Sequence, residues 1–149
     1  MTLILSAHRG NDTGGTGYRI ARGFRLQPDR EWVFRSSCNP TAVFSWISYP
    51  EDLTWSPTEV RRLFAEADVF HARNDWGTLR SLEGSKRIPS VIHYHGTNFR
   101  TLWPTRLREQ RERKAIGLVS TLDLLLLAPD QAEWLPSPYD LEFLNDFRS

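Results

Sequence analysis

The chain has 149 residues, with 19 basic and 18 acidic side chains and a formal charge of +1. That length suits one domain with a real hydrophobic core rather than two, and so even a balance sets up no global field for nucleic acid or an anionic membrane. Cys38 is the only cysteine, which excludes an intrachain disulfide and a thiolate zinc cage. The N-terminal apolar run is far too short for a signal peptide or a membrane span, so a cytoplasmic location is expected. Lys86 and Lys114 are the only lysines; the arginine excess fits anion recognition by planar forks but reads more simply as a coding bias.

In chain order, Leu3-Ile4-Leu5-Ser6-Ala7 reads as a short buried strand, followed by a loop of turn-forming residues from His8 to Gly17. Ile20, Ala21 and Phe24 then fall at helical spacing, with Arg19, Arg22 and Arg25 on the other face. Glu31 to Arg35 reads as a second strand after the Pro28-Asp29 turn. Signals from Ser36 to Trp55 are mixed, with a short strand expected over Ala42–Ile47. Ser56-Pro57-Thr58-Glu59 is a capping box with proline at the first helical position, and Val60, Leu63, Phe64 and Ala67 give the buried stripe behind it. Asp68 to His71 comes next as a strand, with a short linker normal for such turns.

Asp75 to Leu82 is expected to be helical, Ser90 to Gly96 a strand stopping at its glycine, and Arg106 to Lys114 a charged helix with a solvated face. In that helix Arg108–Glu112 and Glu109–Arg113 stand at ion-pair spacing. Ile116 to Ser120 reads as a further strand, Thr121 to Leu127 as a capped helical turn stopped by Pro129, and Ala132 to Leu135 as a last strand. Pro136-Ser137-Pro138 forms a linker stiffened by its prolines. Strand and helix alternate throughout, which predicts an α/β Rossmann-like domain. Its sheet is mostly parallel, of about six strands with helices on both faces. Residues 1–136 form the domain and 137–149 a linker or tail.

Two phosphate-binding motifs are tested by the first loop. Gly10 and Gly15 have P-loop spacing, but Thr16-Gly17 come after them where Lys and Ser/Thr are required. Gly15-Thr16-Gly17 supplies two glycines of a dinucleotide fingerprint, yet Ile20 replaces the third, and Arg35 with two serines stands where a ribose-binding carboxylate belongs. An NADP-binding protein remains an alternative only through Arg35. Glycines at a strand-to-helix junction still let a ligand approach the main chain, beside helix amides that attract anions.

In such a sheet, ligands bind outside the carboxyl ends of the strands. His8, His71, His93 and His95 all fall near those ends, succeeded by Arg73, Asn74 and Asp75 or by Thr97, Asn98 and Arg100. Alternation puts His93 and His95 on one face and Tyr94 on the other. Histidine pairs on strands are commonly structural, and this set lacks a carboxylate partner, so no metal and no cofactor are expected. His95, at the strand tip before Gly96, is the candidate for acid/base or hydrogen-bonding work, with His93 packed beneath it; the plainer reading of His95 is a helix-capping residue.

Taken together, Gly14-Gly15-Thr16-Gly17, Ala67 to His71, Pro89 to Gly96, Val119-Ser120-Thr121 and Ala132 to Asp140 resemble the N-terminal domain of GT-B retaining glycosyltransferases. These are the nucleotide-sugar-dependent bacterial mannosyl- and glucosyltransferases, and the resemblance spans nearly the whole chain. It implies the acceptor-binding half of an enzyme that moves a hexose from a nucleotide sugar to a hydroxyl acceptor. His95 would be the catalytic contact to the transferred sugar, and Gly14, Gly15, Thr16, Gly17, Gly96, Asn98 and Arg100 would bind substrate. The second domain of that family holds the nucleotide and the paired glutamates, and its motifs are missing here. A separate donor-binding chain or a homo-oligomer is therefore the expected partner, and the lone domain a poor catalyst. The alternative is a non-catalytic binding or assembly module, with Trp76 and Trp103 either exposed contacts or part of the core.

Overall fold

The computed structural model describes residues 1–11, 19–20, 23–24, 32–39, 53–54, 56–74, 76–84 and 86–136. Among them, seven strands run parallel in one sheet: β1 (Thr2–Asn11), β2 (Trp32–Asn39), β3 (Leu53–Thr54), β4 (Val69–Arg73), β5 (Ser90–Tyr94), β6 (Ile116–Val119) and β7 (Glu133–Trp134). Their order is β3-β2-β1-β4-β5-β6-β7. Five strands of four residues or more make the body of the sheet, and the two-residue β3 and β7 close its edges. The protein is thus α/β with an all-parallel sheet, and the expected count of about six strands is corrected to five in the body of the sheet.

Helices α1 (Pro57–Glu66), α2 (Gly77–Leu82), α3 (Gly96–Arg113) and α4 (Leu122–Leu125) connect the later strands, and residues 19–20 and 23–24 are helical between β1 and β2. The chain walks outward from β1 to β3, then returns to the other side of β1 at β4. Right-handed crossovers put connections of opposite direction on opposite faces, and two separate apolar clusters match that. In the larger, the registered neighbours Leu5 and Phe70, Ala72 and Ile92, and Tyr94 and Val119 form a floor. Onto it α1 sets Val60, Leu63 and Phe64, α2 sets Leu79, α3 sets Phe99 and Leu107, and α4 sets Leu124. In the smaller, Ile20 is buried against Ile4 and Phe24 on the other face.

Local chemistry explains α1 well. Ser56 Oγ accepts the Glu59 amide at 3.4 Å, and Pro57 stands in the first turn. At the other end Lys86 Nζ donates to the carbonyls of Ala65 at 2.7 Å and Ala67 at 3.0 Å, a cation placed on the negative end of the helix.

Elsewhere non-local contacts override local signals. β1 continues to Asn11 through residues expected to form a loop, and β2 runs to Asn39, because the two pair along almost their whole length with a register shift between His8 and Asn11. The expected Ala42–Ile47 strand lies outside the described residues. Helix α3 starts ten residues before the expected Arg106 and contains Pro104. An internal proline costs about 3 kcal/mol of helix stability, and packing on both sides of it offsets that. Phe99 stacks on Tyr94 with ring centroids 4.2 Å apart, and Leu107 is buried.

The charged face of α3 is not simply solvated. Glu109 is engaged by Arg80 of α2 at 2.6 Å and by Arg106 at 3.3 Å, and Arg113 makes a fork to Glu83 at 2.8 and 3.1 Å. These replace the expected Glu109–Arg113 pair, and among the described residues no ion pair joins Arg108 to Glu112. Arg113 also lies over the ring of Trp76, 5.1 Å from its centroid. Of the two tryptophans read as either exposed contacts or core, Trp76 is wholly buried and Trp103 is 38% exposed.

Candidate functional site

The sheet order reverses between β1 and β4, the position at which doubly wound sheets open a ligand crevice at their carboxyl ends. Alternation determines what faces it. With Leu5, Phe70, Ala72, Ile92 and Tyr94 directed into the large core, the intervening Ser6, His71, Arg73, His93 and His95 fall on the opposite face. Arg73 and His93 are register partners across β4 and β5.

The result is a row of imidazoles. The His71 and His93 rings meet edge to face with centroids 5.7 Å apart, and His93 and His95 lie 4.2 Å apart, tilted by 41°. Ser6 Oγ and His71 Nδ1 share a hydrogen bond at 2.9 Å. His93 Nε2 stands 3.0 Å from the Leu135 carbonyl. A carbonyl only accepts, so Nε2 carries the proton and Nδ1 of His93 is the bare acceptor. That Nδ1 is buried without a hydrogen-bond partner among the described residues, as is His95 Nε2.

All three imidazoles are held neutral. Burial pushes His93 down to about 4, against the smaller opposing effect of the Leu135 carbonyl. Burial pushes His95 down to about 2, helped by His93, Arg73 and Arg19. His71 is lowered well below its ordinary value by burial first, then by His93, Arg73 and His95. Lowered in this way, His95 is a weak base near neutral pH, and its unpartnered Nε2 is placed for hydrogen bonding.

The backbone around His95 presents that ring. His95 is extended at φ −133° and ψ 136° and occupies the cap position of α3, but its side chain makes no capping bond. Gly96 comes next at φ +55°, a left-handed conformation that suits glycine. Asn98 is exposed in the first turn of α3. Arg100 is also exposed, and its guanidinium is held by Asp123 of α4 at 2.7 and 2.9 Å rather than by the His95 group. Gly14, Gly15, Thr16 and Gly17 lie outside the described residues. Arg35 sits inside β2 opposite Leu5, four residues before the strand ends.

Arg73 and Asn74, expected only as polar residues following His71 at the strand ends, belong to this group, and so does Ser6, which sequence reasoning did not select. The signal that finds them is the alternation His71-Ala72-Arg73 beside His93-Tyr94-His95, read as two adjacent strands. Among the described residues no group of three histidine, cysteine or carboxylate side chains is placed to hold a metal. A polar cleft of about 430 Å³ lies elsewhere, at the amino end of β5. Its Arg80, Glu83, Glu109 and Arg113 are mutually paired across α2 and α3.

The chain matches no protein-family model, no curated protein and no solved structure. Among the described residues no helix is long and apolar enough to cross a membrane.

Proposed function

We propose that this domain is the acceptor-side half of a sugar transferase, moving a hexose from a nucleotide sugar to a hydroxyl with retention, and completed by a donor-binding lobe. The observation that carries the reading is the buried, unpartnered Nε2 of a neutral His95 at the carboxyl edge of the sheet, one residue before the left-handed Gly96. A neutral imidazole donates to or accepts from a sugar hydroxyl without a charge to be desolvated. Arg73 and Arg19 stand near enough to act on His95, and guanidinium groups are of the type that binds phosphates. Calorimetry with UDP-glucose and GDP-mannose tests it: heat of binding that disappears in His95→Ala supports the reading, and no heat with either compound overturns it.

A second reading, an assembly module, is favoured by exposed apolar side chains near the β7 edge. Leu122 and Leu126, at either end of α4, are 58% and 82% exposed, and Trp134 and Leu135 are 49% and 42% exposed. A concentration-dependent dimer that Trp134→Asp dissociates, with no response to sugars, would select this reading.

A further inference from the structure

We infer that Asn74 is the positioning residue of the His95 site; its consequence for ligand binding rests on the sugar-binding reading, while its geometry does not. β4 ends at Arg73, and Asn74 takes φ +61°, a left-handed conformation that asparagine enters more readily than most residues with a side chain. That turn lets one residue grip β5 twice. Its amide donates to the His93 carbonyl at 3.0 Å, and its side-chain Oδ1 accepts the His95 amide at 2.6 Å. The first contact continues the β4–β5 ladder by one step. In the second, a side-chain oxygen stands in for the main-chain carbonyl that a longer strand would supply.

What the clamp holds is the one backbone unit on which the site depends. His95 has no side-chain tether of its own among the described residues, since its ring neither caps α3 nor bonds through Nε2. The adjacent His93 ring limits its tilt, but the direction in which the imidazole leaves the strand is set by the extended backbone of His95. That backbone is pinned by Asn74 on one side and released into Gly96 on the other. Thr97 and Asn98 come immediately after, so the same grip sets where the exposed first turn of α3 begins. Asn74 also stands at the tip of β4, next to Arg73, and so couples the two strands that contribute the imidazole row.

Two substitutions separate this role from that of an ordinary turn residue. Asn74→Gly keeps the left-handed backbone and removes the acceptor; Asn74→Asp keeps both. Hydrogen exchange and imidazole ¹⁵N resonances are measured by NMR in the complete chain, with melting curves to confirm folding. The His95 amide should be protected in the unsubstituted protein. In Asn74→Gly it should exchange about tenfold faster, the value of one good hydrogen bond, with a shifted His95 imidazole, and Asn74→Asp should restore both. Affinity for UDP-glucose should fall about tenfold in Asn74→Gly and return in Asn74→Asp. An unprotected His95 amide in the unsubstituted protein overturns the inference whether or not the glycine variant folds. So does an Asn74→Gly protein whose His95 signals are unchanged. Failure of the unsubstituted protein to bind UDP-glucose removes the functional reading instead, and the exchange data then decide the inference alone.

Discussion

Acidification should weaken this protein before its carboxylates begin to protonate, and the imidazole row sets how much. A histidine with an ordinary value of 6.5 in the unfolded chain and about 4 or 2 in the folded one binds fewer protons when folded. Stability is then intact above about pH 6.5 and falls as pH drops below it, levelling off only at the folded value. Between pH 7.5 and pH 5, His93 and His95 should each remove about 2 kcal/mol, at roughly 1.4 kcal/mol per unit, and His71 acts in the same direction. A loss of about 4 kcal/mol is large against a total stability of roughly 5–15 kcal/mol.

The ion-paired carboxylates Glu109 and Asp123 are held below their ordinary range. Their contribution, present above the unfolded value, is lost at more acidic pH. The window from about pH 6.5 to pH 5 therefore belongs to the histidines. Urea unfolding at half-unit intervals measures it, with His93→Gln as the partner experiment, since an amide keeps a donor for the Leu135 carbonyl but cannot titrate. A midpoint that drops steeply in the original protein and less so in the variant is expected. Equal stability at pH 7.5 and pH 5 would refute the picture of a buried, neutral row.

Other substitutions test the packing that carries the site. A methyl group at Gly117 would sit 2.5 Å from Gln110 Oε1 and 2.7 Å from the Gln131 carbonyl. Gln110 is already committed to Tyr94 and Gln131, so Gly117→Ala should cost about 1–3 kcal/mol by overpacking, read as a lower denaturant midpoint. Lys86→Met removes the ammonium group from the end of α1 and should cost about 1 kcal/mol, with the loss read in the same assay.

Helix α1 was legible because everything that makes it is local: a capping serine, a proline in the first turn and an apolar stripe. The same holds for the alternating order of strands and helices, and for His93 packed beneath His95. What local signals missed lies where distant chain segments decide. His8 to Asn11 are turn-formers by composition, and pairing with β2 draws them out as strand. Pro104 lies before the expected helix start at Arg106, yet Phe99 and Leu107 hold helix on either side of it to the sheet. In the site, the place of His95 at a strand tip was legible from the glycine after it. The role of Asn74 was not, because it depends on a left-handed backbone angle and on which strand lies beside β4. The weak basicity of His95 was hidden for a similar reason, since burial by neighbouring strands leaves no trace in a run of letters.

The central claim is that the His95 imidazole meets a sugar ligand through its unpartnered nitrogen. Its ¹⁵N resonances, monitored while UDP-glucose and GDP-mannose are titrated at pH 7.5, test this most directly. A saturable shift confined to the Nε2 signal, with the ring remaining neutral, is the expected result. Resonances that stay fixed through saturating concentrations of both compounds would contradict it.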